Sequence, residues 1–294
     1  MLHLEFAVSP EQVRSIHDIN LLEARFGFHK GALISLFPKK WIKSCLDSLT
    51  GNEIERKQFV EKITANKDIL LSNFGRNYGA YQDWSEAAWV SHSERSFHKL
   101  IDRNMRENNI YLDSIQSIAD NDMSYSTMFP RCADSLALAA RALLLNAEKV
   151  TLYDPYFDIS NNGCKKTLKA MMEICQKPDV EFHIYAKEGK LSAWRIMQPA
   201  FESFMVNMIN ERKLFFYSVD DNGSGFMHDR GLFTVKGGLI YDRGFLEPHD
   251  HTQREELTNI IPMPISMLEA KSKSFNEAGD DHGDFVVVNK WASH

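Results

Sequence analysis

The second half of the chain alternates helix-like segments with short runs of β-branched and aromatic residues, and this alternation constrains the fold more than any other feature. The helix-like segments cover residues 131–148, 164–176 and 191–210. The strand-like runs cover residues 150–154, 180–185, 214–219, 232–235, 239–241, 260–261 and 285–288. Strands that alternate with helices form βαβ units around a parallel sheet, whereas the turn Lys236-Gly237-Gly238 predicts an antiparallel hairpin. We therefore expect an α/β C-terminal domain with a mixed sheet.

The first 130 residues look different, because their apolar residues recur with a helical period. The predicted helices cover residues 11–26, 38–46, 54–71, 84–90 and 94–106. No alternating strand pattern is visible among them, so we expect an α-helical N-terminal domain of unknown role. The polar, acidic segment 119–126 is followed by Pro130 and suggests a boundary that divides the chain into domains 1–130 and 131–294.

Composition narrows the classes of function. The 294 residues suffice for one large or two modest domains, and the net charge of −6 lacks the basic balance of a dedicated DNA-binding domain. Any phosphate binding would have to depend on a few placed cations. No apolar run approaches the roughly 20 residues that span a bilayer, and no signal-peptide pattern opens the sequence. With four scattered cysteines and no CxxC motif, we expect a cytoplasmic protein with free thiols.

The first candidate site is Asp154-Pro155-Tyr156-Phe157, which directly follows a predicted strand. In open α/β sheets, ligands bind beyond the carboxyl ends of the strands. Pro155 favours an extended conformation at Asp154 and so directs the chain into a loop. The alternative is an ordinary turn, in which Asp154 accepts backbone N–H groups and the aromatic rings pack.

The second candidate is Met227-His228-Asp229-Arg230, just before another predicted strand. On a strand, His228 and Arg230 would share one face because they lie two residues apart. A guanidinium offers a rigid fork to phosphate oxygens, and an imidazole can donate a proton or act as a nucleophile. Arg243 follows the predicted hairpin and would bring a second guanidinium to the same end. The alternative is a surface ion pair between Asp229 and Arg230, worth about 0–1 kcal/mol.

A third cluster contains Glu247, His249, Asp250 and His251, which are residue types that bind zinc or another transition metal. It lies in a polar loop with a proline and has no partner motif at a recognisable spacing. We therefore expect a solvated loop, and we predict neither a metal nor another cofactor.

Taken together, the two main motifs resemble the phospholipase D superfamily. The segment from Val150 to Phe157, then His228-Asp229-Arg230, a glycine turn and Arg243-Gly244 follow in the order found in the phospholipase D-like C-terminal domain of MIT-domain proteins. The resemblance covers about residues 131–294. It implies a non-catalytic domain that binds anionic phospholipid headgroups. It also implies a homodimer, because single-motif relatives pair two half-sites, and a role in a prokaryotic anti-phage or other conflict system.

The chain departs from the catalytic motif HxKxxxxD of active members of the superfamily. Arg230 replaces the lysine, Val235 stands at the position of the aspartate, and no second copy of the motif is visible. Loss of the acid should disturb the orientation and proton handling of a histidine nucleophile. An arginine can still bind phosphate with two hydrogen bonds.

Three hypotheses follow. In the first, the protein is a binding module for a phosphate-bearing ligand, such as nucleic acid or an anionic lipid headgroup. His228, Arg230 and Arg243 contact the phosphate there, and Asp154 and Tyr156 shape the pocket. The second is a metal-independent phosphodiesterase or nuclease in which His228 is the nucleophile, Arg230 stabilises charge, and Asp154 or Asp229 orients the histidine. The third is a structural adaptor whose N-terminal domain docks a protein partner.

Overall fold

The computed structural model describes residues 1–49, 52–81, 83–103, 109–206, 212–276 and 283–293. These residues form two compact units. The N-terminal unit is His3–Tyr125, and the C-terminal unit combines Met1–Leu2 with Ser126–His294. None of the described helices is both long and apolar enough to cross a membrane.

The N-terminal unit is built on a sheet of five parallel strands in the order β3-β2-β1-β4-β5. Its elements, in chain order, are β1 Leu4–Val8, α1 Ile16–Arg25, β2 Ala32–Ser35, α2 Trp41–Asp47, α3 Glu53–Leu70, β3 Leu71–Ser72, α4 Trp84–Glu94, β4 Lys99–Ile101 and β5 Tyr111–Leu112. The prediction of an all-helical N-terminal domain is therefore wrong. The predicted helices over residues 11–26, 38–46, 54–71 and 84–90 correspond to α1, α2, α3 and α4.

The strands escaped prediction because they are short and buried on both faces. All four residues of β2 are buried, so polar and apolar side chains do not alternate along it. A short apolar run of this kind cannot be assigned to a strand or a helix by its period. The helix predicted over residues 94–106 is replaced in part by β4, and its residues 104–108 lie outside the described ranges.

Successive residues of β1 point to opposite faces and enter different apolar clusters. Phe6 and Val8 pack with residues of α1, α2 and α3, whereas Ala7 packs with residues of α4. The chain adds β2 and β3 on one side of β1 and then β4 and β5 on the other. The sheet is therefore doubly wound, and the strand order reverses between β1 and β4.

The C-terminal unit is built on a sheet of eight strands in the order β13-β9-β8-β7-β10-β11-β12-β6. Its elements, in chain order, are β6 Met128–Pro130, α5 Ala133–Ala139, α6 Arg141–Leu144, β7 Lys149–Tyr153, α7 Asn162–Ile174, β8 Glu181–Lys187, α8 Trp194–Val206, β9 Lys213–Asp220, β10 Gly231–Thr234, β11 Gly237–Tyr241, α9 His251–Glu255, β12 Leu257–Pro262, α10 Ile265–Asn276 and β13 Val286–Ala292.

The predicted mixed sheet and hairpin are confirmed. Strands β7, β8 and β9 are parallel, and β10 is antiparallel to both β7 and β11. The predicted helix 131–148 is interrupted at Ala140, and residues 207–211 of the predicted helix 191–210 lie outside the described ranges. Elements β6, α9 and α10 were not predicted.

This topology brings both sequence motifs to one edge of the sheet. The carboxyl ends of β7, β8 and β9 lie beside the start of β10, because Gly231 is paired with Tyr153. The end of β11 lies at the same edge, because Ile240 is also paired with Gly231. We call this edge, with the loops that follow or precede these strands, the motif edge.

Candidate functional site at the motif edge

Asp154 connects three separate segments at the motif edge. Its buried carboxylate accepts the backbone N–H of Tyr156 at 2.9 Å and that of Phe245 at 3.2 Å. Arg230 Nε lies 3.7 Å from Asp154 Oδ1. Asp154 therefore makes the turn contacts of the alternative interpretation and also faces the arginine of the second motif.

The protonation of Asp154 reflects this environment. Burial raises its pKa, and the two backbone N–H groups and the charge of Arg230 oppose that effect without reversing it. Removing a carboxylate from water costs free energy unless partners compensate it. The positive charge of Arg230 is thus one of the partners that Asp154 requires.

The cations of Arg230 and Lys190 both lie near the exposed aromatic ring of Tyr156. The guanidinium carbon of Arg230 is 5.3 Å from the centre of the Tyr156 ring, and Lys190 Nζ is 5.9 Å from it. Arg230 Nη1 donates to the carbonyl oxygen of Asp242 at 2.7 Å, and Nη2 makes no hydrogen bond within the described part of the chain. The Arg230 side chain is 27% exposed and Tyr156 is 52% exposed.

Lys190 was not singled out in the sequence. The available signal was its position shortly after a predicted strand, at the edge where ligands bind. Gly189, just before it, has φ of +77°, which turns the chain sharply at this point. Lys187, at the end of β8, is paired with Asp221 at 2.6 Å.

Gly244 permits the close approach of Asp154 and Arg230. Its φ is +69°, and a Cβ atom there would lie 2.2 Å from Asp154 Oδ2 and 2.8 Å from Arg230 Cδ. The glycine is thus required both by the left-handed backbone and by the space that the two side chains occupy. Arg243, beside it, pairs with Glu256 at 2.6 Å and is not among the partners of Asp154.

His228 does not join this group. Its side chain is 89% exposed, and its nearest acidic group is Asp229 at 3.9 Å. Because β10 begins only at Gly231, His228 and Arg230 lie in a loop and the period-two argument does not apply. The alternative ion pair between Asp229 and Arg230 is not formed either, since Arg230 faces Asp154. The structure therefore brings together Asp154, Tyr156 and Arg230, but not His228.

The loop that carries His228 is held by a buried carboxylate. Asp221 accepts the backbone N–H of Met227 at 3.2 Å and of Gly223 at 3.3 Å, in addition to Lys187. Burial alone would raise the pKa of Asp221, but the hydrogen bonds from Lys187 and these amides outweigh it and lower that pKa. The carboxylate therefore stays ionised and fixes the loop.

Lys271 of α10 contacts the same loop at Phe226. Its Nζ lies 4.2 Å from the Phe226 ring and 4.9 Å from the Tyr153 ring, and it donates to the Phe226 carbonyl at 3.2 Å. Burial lowers the pKa of Lys271, and the nearby Asp229 and Asp284 oppose this. The buried ammonium group of Lys271 is thus stabilised by two aromatic rings and a carbonyl oxygen.

The expectation of a solvated loop holds for His249, Asp250 and His251, which are exposed, but not for Glu247. Glu247 is buried, accepts the backbone N–H of Ala133 at 2.9 Å at the start of α5, and pairs with Lys166 at 2.7 Å. Burial alone would raise its pKa, but these contacts outweigh it and lower that pKa.

His249, Asp250 and His251 make their hydrogen bonds with residues of helix α9. Asp250 accepts the backbone N–H of Thr252 at 2.9 Å and so caps α9, while Arg254 donates to the His249 carbonyl and contacts His251 Nδ1. Within the described ranges, no three His, Cys, Asp or Glu side chains are grouped for a metal ion.

Comparison with protein-family profiles gives no match to this sequence. Comparison with curated proteins gives no significant match either.

Proposed function

We propose that the C-terminal unit is a phosphate-binding module with a degenerate phospholipase D-like site. The observation that carries the proposal is that two cations, those of Arg230 and Lys190, lie within 6 Å of the ring centre of exposed Tyr156, at 5.3 Å and 5.9 Å. Asp154 and the Asp242 carbonyl hold the guanidinium of Arg230, so little side-chain freedom is lost when a ligand binds. The two N–H groups of Nη2 can donate to phosphate oxygens, and Lys190 supplies a second charge.

Two observations favour binding over cleavage. A histidine nucleophile needs a neighbouring group that orients it, and His228 is exposed with its nearest carboxylate at 3.9 Å. Val235, at the position of the catalytic aspartate, is 91% exposed beside the hairpin turn. The phosphodiesterase hypothesis, with His228 as nucleophile, has no comparable support.

The ligand is defined by its phosphate group. A nucleic-acid backbone and an anionic lipid headgroup both present phosphate oxygens that Arg230 and Lys190 can bind together. Only a few cations take part, so the affinity should depend modestly on salt, with a slope of about 1–2 in a plot of log K against log salt. The resemblance to phospholipase D-like proteins adds two proposals, a homodimer that pairs two half-sites and a role in a prokaryotic conflict system.

The test measures two ligands with the full chain. The first is a fluorescein-labelled single-stranded oligonucleotide, and the second is a phosphatidylcholine vesicle with or without phosphatidic acid. Arg230→Ala should lower the affinity for the bound ligand by roughly ten- to a hundredfold, because a charge-assisted contact is lost. Arg230→Lys should also weaken binding, since lysine keeps the charge but not the fork. Lys169→Ala removes an exposed cation on α7 and serves as the control.

Each outcome has one meaning. Binding of only the oligonucleotide or only the acidic vesicle identifies the source of the phosphate. Equal affinity of Arg230→Ala and Lys169→Ala for both ligands would overturn the site. Phosphodiester cleavage by the wild type that His228→Ala abolishes would overturn the non-catalytic proposal and establish the phosphodiesterase.

A further inference from the structure

The N-terminal unit contains a cavity at the reversal point of its own sheet. The cavity has a volume of about 230 Å³ and lies beyond the carboxyl ends of β1, β2 and β4. Ser9 follows β1, Pro38 follows β2 and Asp102 follows β4, and all three line it. The strand order reverses between β1 and β4. In doubly wound sheets this reversal opens a crevice in which ligands bind. We call it the switch-point cavity.

One wall of the switch-point cavity is aromatic and firmly held. Tyr78 and Trp84 line it, and the buried ring of Phe37 packs behind them at 4.9 Å and 6.2 Å. Trp84 Nε1 donates to the Phe37 carbonyl at 3.0 Å, which fixes the indole at the start of α4. A pre-formed aromatic wall of this kind can stack against the planar ring of a ligand.

The rest of the lining is acidic and hydroxylated. Glu11, Asp83 and Asp102 line the cavity together with serines, and none of the described residues that line it is a lysine or an arginine. Ser9 and Asp102 are themselves buried. Burial and the nearby Asp83 raise the pKa of Tyr78, so its hydroxyl stays protonated. The lining therefore favours hydroxyl and amino groups over anions.

The turn after β1 also argues against phosphate. Dinucleotide sites place a glycine-rich turn here, whose backbone N–H groups approach the pyrophosphate. This chain has Ser9-Pro10-Glu11 instead. Pro10 has no N–H to donate, and Glu11 places a carboxylate at this turn, with Arg14 Nη2 3.8 Å from it as a surface ion pair that offsets only part of its repulsion of an anion. The volume of about 230 Å³ also lies below the roughly 300–1,000 Å³ of pockets that enclose drug-sized ligands, so a dinucleotide is too large for it.

We propose that the switch-point cavity binds a nucleoside without a phosphate group. The base would stack on the wall formed by Tyr78 and Trp84, and the ribose hydroxyls would donate to the carboxylates at the ends of β1 and β4. This site is independent of Arg230 and the motif edge, so the two proposals succeed or fail separately.

The experiment measures binding of adenosine, guanosine, cytidine and uridine to the full chain by saturation-transfer NMR and equilibrium dialysis. At least one nucleoside should bind saturably with a Kd below about 1 mM, and its 5′-monophosphate should bind at least roughly tenfold more weakly. Asp102→Asn should weaken nucleoside binding by roughly ten- to a hundredfold. Glu11→Gln should narrow the gap between nucleoside and monophosphate, because it removes a repelling charge.

The controls separate folding from binding. Glu94→Gln changes an exposed acid at the far end of α4 and should leave both affinities unchanged, as should Arg230→Ala. Thermal melting shows whether each variant is folded, and Glu11, being exposed, tests the site without disturbing the core. No saturable binding of any of the four nucleosides, equal or tighter binding of the monophosphate, or unchanged binding in both Glu11→Gln and Asp102→Asn would overturn the proposal.

Discussion

Replacing Gly244 tests the construction of the motif edge without changing any charge. With φ at +69°, the added methyl group of Gly244→Ala would lie 2.2 Å from Asp154 Oδ2 and 2.8 Å from Arg230 Cδ. The left-handed backbone costs a residue other than glycine about 1–2 kcal/mol. Displacement of Asp154 would break its hydrogen bond from the buried Phe245 N–H, and an unsatisfied buried group costs about 1–3 kcal/mol. We therefore expect Gly244→Ala to lower the free energy of unfolding by about 2–5 kcal/mol.

Gly223 provides a matched control at the same edge. Its φ is +75°, but no atom lies within 4 Å of the position that a Cβ would take. Gly223→Ala should therefore cost only the backbone term of about 1–2 kcal/mol. The difference between the two variants isolates the contact with Asp154 and Arg230.

Native-state hydrogen exchange of the amides of β7 and β10 gives these free energies for the C-terminal unit alone, and so avoids overlap with unfolding of the N-terminal unit. Gly244→Ala should also weaken phosphate binding, because Arg230 must move. If Gly244→Ala destabilised the unit no more than Gly223→Ala and bound ligand like the wild type, the close packing of Asp154 and Arg230 would be refuted.

Three further predictions follow from the charges, thiols and assembly. Asp221→Asn should lower the free energy of unfolding by about 1–3 kcal/mol at neutral pH. The hydrogen bond from Lys187 lowers the pKa of Asp221 from its usual 3.8, so this stabilisation is present above pH 3.8 and is lost as the pH falls through the lowered pKa. Urea unfolding at several pH values should therefore show the difference in unfolding free energy between wild type and Asp221→Asn shrink at low pH. A constant difference down to pH ~2 would contradict this prediction. Burial raises the pKa of Cys164 and of Cys175 to about 12. A thiol reagent at pH ~8 should therefore label the partly exposed Cys132 well before these two buried thiols, and mass spectrometry measures the order of labelling. Light scattering at micromolar concentration should give twice the 33.8 kDa of one chain, and a monomer alone would count against the homodimer.

The sheet of the C-terminal unit could be predicted because its strands carry a local signal. Runs such as 150–154 and 214–219 are β-branched or aromatic, and helices of ordinary length separate them. Strand β7, which corresponds to the predicted run 150–154, lies inside the sheet between β8 and β10. Element α10 escaped prediction, and nothing in its local pattern had singled it out.

The sheet of the N-terminal unit escaped prediction for a physical reason that β1 illustrates. Glu5 stands in the middle of β1 and reads as a surface residue, yet it is buried. Its carboxylate accepts hydrogen bonds from Ser35 and from Arg76, which lies 71 residues later in the chain. Arg76 in turn donates to carbonyl oxygens of Ser91 and Ser96. A buried charge is tolerated only with such partners, and no local pattern in the sequence identifies them.

The sequence could not show which cation remains available to a ligand, because the acidic partners of these cations are distant in the chain. Lys187 and Arg243 each pair with a carboxylate at 2.6 Å, so part of the hydrogen-bonding capacity of each cation is already used. Arg230 is different, because Asp154 already accepts two backbone N–H groups and lies 3.7 Å from the guanidinium, beyond hydrogen-bond distance. Asp154 therefore orients Arg230 without saturating its donors. The proposed phosphate site therefore depends on Arg230, whereas the motif alone assigned the same role to Arg243.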